Sequence, residues 1–250
     1  MAYDADLTDL FKKCTNEDLN TIVEYITQKG SLTESLTTSE EYKQHAPNHT
    51  EYIGKIIDEI QRFGGDAIAN MFRGKGVKYR EITEDVAKHF KIKYNDNMST
   101  SEIEQDIIAT VIKQAWEKMK EDDRIAILRD ANVDINSLDE ETKKILIKGD
   151  FSLLKGVVLS TVFMQILIKV TGFKAYQISV IVANMVAKAV LGRGLALAGN
   201  AALVRSLAVF TGPIGWIITG LLTAPLITGP AYRVTIPCVL HIAMLREKYS

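Results

Sequence analysis

The sequence predicts an all-α multi-helix bundle, and three observations favour this fold class. Apolar residues recur at intervals of three and four along most of the 250 residues, which is the spacing of a helix buried on one face. No stretch of strand-like alternation bounded by turn residues stands out. Hydrophobic residues make up 47% of the chain, which is enough for one large core or two smaller ones.

Charge divides the chain into an acidic and a basic part. Residues 1–150 contain 21 Lys and Arg against 30 Asp and Glu, and residues 151–250 contain nine against one. Between 151 and 246 there is no carboxylate side chain, whereas ordinary solvated surfaces mix both signs. We therefore predict three regions: an N-terminal helical pair with a polar connection (1–46), an acidic amphipathic helical region (47–149), and an apolar, basic, Gly/Ala-rich helical region associated with a membrane or a partner (150–250).

The N-terminal pair is predicted from local signals. Thr15 and Asp18 have the spacing of a capping box, and the helix that they begin ends before Gly30. Residues 31–50 are polar and predict a connection with one helical turn near Glu40.

The acidic region contains the clearest amphipathic helix. Thr100 or Ser101 is expected to cap it. Its broad apolar face comprises Ile103, Ile107, Ile108, Val111, Ile112, Ala115, Trp116 and Met119, and its polar face comprises Glu102, Glu104, Lys113 and Glu117. Ser137, with Glu140 three residues later, predicts a short last helix through Leu146.

A glycine-rich basic loop follows a helix that is expected to run from about Thr50 to Phe63. Glycine lets backbone N–H groups approach an anion, and a helix expected to begin at Glu81 or Thr83 would add its positive end. The candidate anion-binding residues are Arg73, Gly74, Lys75, Gly76, Lys78 and Arg80. The alternative is a plain turn whose cations pair with nearby carboxylates.

The basic region contains three long uncharged intervals. Residues 156–168 and 175–187 are 13 residues each, which as helices reach only about 20 Å and fit buried core helices better than membrane spans. Residues 206–232 are long enough to cross a bilayer, but Gly-Pro pairs and Pro225 interrupt them, so a hairpin or re-entrant arrangement is favoured over a straight helix.

Two residue sets in this region are candidates for contact with lipid or with another helix. Trp216 and Tyr232 suit the level of lipid headgroups, where Arg205 and Arg233 would meet anionic lipid; the alternative is two core aromatics and two solvated cations. Small residues at four-residue intervals allow close helix packing, in a membrane or in a soluble bundle. They are Gly194, Ala198, Ala202 and Ser206.

Catalytic and metal-binding patterns are missing from the sequence. His45 and His49 have a zinc-protease spacing, but Pro47 lies between them and the glutamate of that motif is absent. Cys14 and Cys238 are far apart and predict two packed thiols. We therefore predict no enzyme, no metal, no cofactor and no nucleic-acid partner. The acidic N-terminus lacks the pattern of a secretory signal, so we expect a cytoplasmic protein, either free or attached to the inner membrane.

Several motifs together resemble the YaaW-like bacterial family over nearly the whole chain. They are Thr15–Leu19, Leu36–Tyr42, Phe63–Gly65, Ile68–Asn70, Phe72–Arg80, Gly212–Trp216 and Gly229–Pro237. The resemblance implies a bacterial protein with a remote likeness to ubiquinol–cytochrome c chaperones, which are helical assembly factors. It supplies no catalytic residues.

The residues and the resemblance favour a non-catalytic helical binding or assembly protein, chaperone-like in action. Its apolar basic half would rest on a membrane or on a membrane-protein partner, while its acidic half receives a protein client; an oligomer is compatible with this reading. A second hypothesis is a membrane-inserting or pore-forming protein that uses a 206–232 hairpin. A third is an anion-binding sensor or enzyme that uses the Arg73–Arg80 loop.

Overall fold

The computed structural model describes residues 4–28, 35–64, 76–152, 154, 159–195, 215, 217, 220 and 231–250. Over these residues the chain forms eleven α-helices and no strand, which confirms the all-α prediction. The helices are α1 (Ala5–Phe11), α2 (Asn16–Ile26), α3 (Glu40–His45), α4 (Ile53–Phe63), α5 (Tyr79–His89), α6 (Thr100–Lys118), α7 (Glu121–Asp130), α8 (Glu140–Leu146), α9 (Leu159–Thr171), α10 (Ala175–Leu191) and α11 (Tyr232–Lys248).

The helices belong to two compact units. The first comprises the described residues of 1–104 and 221–250, and the second comprises those of 105–220. The long helix α6 runs from the first unit into the second. The predicted three-part division follows charge and composition, and it stays a prediction.

The first unit is built around the C-terminal helix α11. Twelve consecutive residues, Val234–Leu245, are buried, because α11 packs against α2, α4 and α5. A helix that is apolar on all sides needs such enclosure. Cys238 of α11 and Cys14 are both buried free thiols, as predicted.

Asp4 fastens the start of the chain to this unit. Its Oδ1 accepts a hydrogen bond from the Leu7 backbone N–H (3.3 Å) and so caps α1. Its Oδ2 accepts from the Tyr79 backbone N–H (2.8 Å) and from the Gln61 amide (3.3 Å). One buried carboxylate therefore links α1, α4 and α5.

Local signals predicted some helix ends and misplaced others. The capping box of Thr15 and Asp18 is confirmed, with both reciprocal hydrogen bonds present. The predicted caps of α6 were wrong, since Ser99 forms the box with Glu102: the Ser99 N–H donates to the carboxylate (2.7 Å), and the Glu102 N–H donates to the Ser99 hydroxyl (3.2 Å).

Two further boundaries differ from the prediction. Asp139, and not Ser137, caps α8, because its carboxylate accepts from the Thr142 backbone N–H (2.7 Å) while Ser137 lies in a 3₁₀ turn. Helix α5 begins at Tyr79, before the predicted Glu81 or Thr83.

The second unit contains a break that the sequence did not predict. The chain leaves helical geometry at Lys120, and α7 then begins with three acidic residues at its positive end. The buried Arg124 of α7 donates hydrogen bonds to the carbonyls of Trp116 (2.8 Å) and Ile147 (2.7 Å). Trp116 in turn donates to the Leu146 carbonyl (2.9 Å), so these bonds hold α6, α7 and the end of α8 together.

Candidate functional site

Helix α9 of the second unit is apolar, yet it buries only one stripe of its surface. Phe163, Leu167 and Thr171 are buried, at the four-residue spacing of one helix face. Val162 on the outer side is 41% exposed. The remaining apolar residues are only partly covered: Met164, Ile166, Ile168 and Val170. The helix therefore leaves apolar side chains in contact with solvent.

The N-terminal end of α9 is fixed to α6. The Thr161 hydroxyl donates a hydrogen bond to the Asp106 carboxylate (2.5 Å), and the hydroxyls of Thr110 and Ser160 lie 3.1 Å apart. These contacts hold the start of α9 against α6. They therefore fix which side of α9 faces outwards.

A tight turn joins the C-terminal end of α9 to α10. Gly172 has the left-handed φ of +69° that ends many helices, and its N–H donates to the Ile168 carbonyl (2.9 Å). Two residues later, the Lys174 N–H donates to the Gln177 side chain (2.8 Å) at the start of α10. The two helices meet at an angle of 112°.

Helix α10 is largely internal, with Ile178–Ala187 buried without interruption. The expectation of a core helix in 175–187 is confirmed for this stretch. Of the helices that the structure describes, none alone is long and apolar enough to cross a membrane, whereas the bent pair Ser160–Thr171 and Ala175–Leu191 together has the length and apolar composition of a broken span.

Positive charge surrounds the turn. Lys169 and Lys174 are exposed, and neither forms an ion pair with a residue that the structure describes. Because the sequence from 151 to 246 contains no Asp or Glu, the segment that contains these lysines supplies no carboxylate to neutralise them. Apolar and cationic groups together form the main candidate surface of the second unit.

Half of the predicted anion-binding loop lies outside the described residues, namely Arg73, Gly74 and Lys75. Gly76 lies against the backbone of Gln61, where an added Cβ would come within 2.4 Å of the carbonyl carbon. Arg80 pairs with Glu84 (2.8 Å) and donates to the Met98 carbonyl (2.6 Å). Lys78 is exposed. The anion site stays a prediction.

The other predicted contact residues are only partly described. Arg205 and Trp216 lie outside the described residues, as do Ala198, Ala202 and Ser206 of the packing ladder. Tyr232 stacks on His89 with ring centroids 4.2 Å apart, and Arg233 is exposed. Gly194 faces Asn184, whose amide oxygen would lie 2.6 Å from an added Cβ.

A buried charged cluster of the first unit was missed by the sequence analysis. Glu104, which we placed on the polar face of α6, is 1% exposed, so that placement was wrong. Its carboxylate accepts hydrogen bonds from Arg246 (2.7 and 3.3 Å) and from the Tyr79 hydroxyl (2.6 Å). Arg246 also pairs with Asp6 (2.8 Å). The sequence spacing indicates this burial, because Glu104 precedes Ile107 and Ile108 by three and four residues and therefore lies on the same helix face.

Burial shifts the pKa values of two members of this cluster, Glu104 and Tyr79. It raises the pKa of Glu104 above its ordinary value, although Arg246 and Tyr79 both favour the charged form. The pKa of Tyr79 is also raised, first by burial and then by the neighbouring carboxylate. The cluster joins α5, α6 and α11 by strong hydrogen bonds, which indicates a structural role.

The surroundings of two buried histidines indicate a structural role for both. His49 contacts the Tyr52 hydroxyl (2.6 Å) and the Asn20 amide oxygen (3.1 Å), and burial lowers its pKa. His241 packs edge-on against Tyr25, and burial lowers its pKa to about 4. Within the described part of the chain, no three His, Cys, Asp or Glu side chains are grouped as metal ligands.

The described fold and surface are those of a helical protein with a buried polar framework and with a partly exposed apolar helix, α9, that contains no Asp or Glu. Comparison with known proteins then gives the family. The chain is 39% identical over 250 residues to a UPF0174 protein of Helicobacter pylori strain J99, covering 98% of this chain and 92% of the relative. It is 35% identical over 254 aligned positions to the UPF0174 protein YaaW of Escherichia coli strain K12, covering 99% and 95%.

A third relative, a UPF0174 protein of Helicobacter pylori strain 26695, is 35% identical over 219 residues, which cover 87% of this chain and 98% of the relative. The chain therefore belongs to the UPF0174 family, and the predicted YaaW-like relationship is confirmed. No family model and no solved structure matches it.

Proposed function

We propose that this protein is a non-catalytic helical binding protein that attaches to an anionic membrane surface through its second unit. The observation that carries the proposal is the partly exposed apolar helix α9 in a segment of 96 residues without a carboxylate. A surface that is both apolar and cationic suits the boundary between lipid headgroups and hydrocarbon, where apolar burial and attraction to anionic lipid act together.

The acidic first unit supports an assembly role at that membrane. Residues 1–104 and 221–250 contain 20 Asp and Glu against 16 Lys and Arg, a formal charge of −4, which an anionic membrane would repel and a basic protein client would match. In the proposed arrangement the second unit rests on the cytoplasmic face of the inner membrane, and the first unit receives the client. The chaperone-like character implied by the YaaW-like resemblance agrees with this division of roles.

Flotation of the purified protein with liposomes tests the membrane attachment. We expect it to float with vesicles that contain phosphatidylglycerol, to remain at the bottom of the gradient with neutral phosphatidylcholine vesicles, and to be released by 0.5 M salt (on the order of a 4 Å screening length). Absence of flotation with anionic vesicles would refute the proposal.

The bent helix pair favours a second candidate, a protein that inserts into the bilayer. Helices α9 and α10 together have the length and composition of a broken span. Insertion would require α10 to leave the core in which Ile178–Ala187 are buried. Flotation that survives both high salt and an alkaline wash would favour insertion over surface attachment, and leakage of a trapped dye would then test pore formation.

A further inference from the structure

We propose that the protein docks on anionic bilayers through one small surface, the α9–α10 turn, formed by Lys169, Phe173, Lys174 and Tyr176. This inference rests on the proposed membrane attachment and names its contact residues. None of the four was among the contact residues predicted from the sequence.

Hydrogen bonds fix the backbone of the turn. The Thr171 hydroxyl donates to the Leu167 carbonyl (2.7 Å), and the Phe173 N–H donates back to that hydroxyl (3.3 Å). With the left-handed Gly172 and the capped start of α10, these bonds fix each residue between the helices. A preformed contact surface loses little conformational freedom on binding.

Two aromatic side chains lie at this turn. Phe173 and Tyr176 are partly exposed, whereas α10 is continuously buried from Ile178 onwards. The Tyr176 ring with its polar hydroxyl suits the interfacial layer of a bilayer, and the Phe173 ring adds apolar surface beside it.

The positive charge of the turn favours an anionic lipid surface as its binding partner. Lys169 lies one turn before the corner and Lys174 lies in it; both are exposed, and the sequence provides no carboxylate nearby. Two ammonium groups beside two partly exposed rings, with no anion among them, match an anionic binding surface in charge. They suit a lipid surface, which supplies many anionic headgroups and accepts the rings without a shaped partner.

The outer face of α9 continues the surface away from the turn. Val162, Gln165 and Lys169 are the exposed residues of this helix, and their spacing of three and four places them on one face. That face contains one apolar, one neutral polar and one cationic side chain and no anion, so these three side chains themselves add no repulsion towards an anionic bilayer.

Neutralising the two lysines gives the first test. Each lysine near an anionic surface strengthens binding by about fivefold, so K169Q/K174Q should bind phosphatidylglycerol vesicles about 25-fold more weakly than the unchanged protein. The matched control is K144Q/K148Q, which removes two exposed lysines of the same unit and should change binding by less than about threefold. Circular dichroism of both variants checks that they fold.

A fluorescent label gives the second test. Ala175 is exposed beside the turn, and A175C can be labelled selectively because Cys14 and Cys238 are buried and burial raises the pKa of the Cys14 thiol to about 12. We expect an environment-sensitive dye at residue 175 to shift to the blue and to brighten when anionic vesicles are added. The same dye on A126C, a partly exposed position of α7, should not respond.

The outcomes separate this inference from the proposed function. If the protein floats but K169Q/K174Q binds as tightly as the control, or the dye at residue 175 stays in water, docking occurs elsewhere. The docking surface proposed here is then refuted, while the proposed membrane attachment still stands. If the unchanged protein does not bind anionic vesicles, the inference and the proposed function fall together.

Discussion

Replacing Arg246 by methionine is expected to lower the free energy of unfolding of the first unit by about 3 to 5 kcal/mol at pH 8. In the native protein two Arg246 nitrogens contact the Glu104 carboxylate at 2.7 and 3.3 Å, and Glu104 is 1% exposed. The substitution would leave a buried carboxylate with the Tyr79 hydroxyl and no cation. The lost contact to Asp6 adds less than about 1 kcal/mol, because that carboxylate is 40% exposed.

The loss should depend on pH in a defined direction. Burial already raises the pKa of Glu104, and without Arg246 that pKa rises further. An acid whose folded pKa lies above its unfolded pKa favours the folded state at low pH, and the penalty develops as pH rises through the folded value. The deficit of R246M relative to the native protein should therefore be smaller at pH 5.5 than at pH 8.

Urea unfolding at both pH values measures this deficit, and amide exchange of peptides from α11 assigns the transition to the first unit. R233M is the matched control, since Arg233 is an exposed arginine of the same helix and should cost less than about 0.5 kcal/mol. E104Q/R246M should recover most of the stability. A deficit below about 1 kcal/mol at pH 8, an equal deficit at both pH values, or no recovery in the double variant would refute the reasoning.

Three further predictions concern single positions. His241 has a pKa of about 4 against 6.5 when unfolded, so stability should fall by about 2 to 3 kcal/mol between pH 7.5 and 4.5, and H241L should lose that part of the pH dependence in urea titrations. Gly149 and Gly172 both have positive φ, but only at Gly149 does an added Cβ meet a side chain, at 2.4 Å; G149A should therefore cost at least about 1 kcal/mol more than G172A in thermal unfolding. S99A should cost about 1 kcal/mol and S101A close to nothing, because Ser99 forms the capping box of α6; equal melting temperatures for the two would contradict this.

Much of the secondary structure was predictable, because helix periodicity and some caps are local. The capping box of Thr15 and Asp18 involves two residues three apart, and it forms as predicted. The cap of α6 was misplaced because Ser99, Thr100 and Ser101 are adjacent and chemically similar, and only the reciprocal bond to the Glu102 side chain selects one of them.

The buried framework was less accessible to sequence reasoning. Glu104 and Arg246 are 142 residues apart, so no local pattern pairs them. The break at Lys120 carries neither glycine nor proline, and the hydrogen bond from Arg124 to the Trp116 carbonyl that crosses it is not visible as a local sequence pattern. Of the candidate surface, the sequence indicated the apolar and basic character but not the turn, because the exposure of Phe173 depends on how α9 and α10 pack.

The positive charge of the C-terminal 100 residues has two different structural settings. At the end of α11 it is neutralised internally: Arg246 pairs with Glu104, and Lys248 contacts Asp18 of α2 at 2.6 Å. These cations compensate carboxylates of the acidic part and are not available to lipid. In the second unit, Lys169 and Lys174 have no such described partner. Among these four cations, Lys169 and Lys174 rather than Arg246 and Lys248 support the proposed membrane attachment, and neutralising Lys169 and Lys174 is a sharper test than lowering the total charge of the chain.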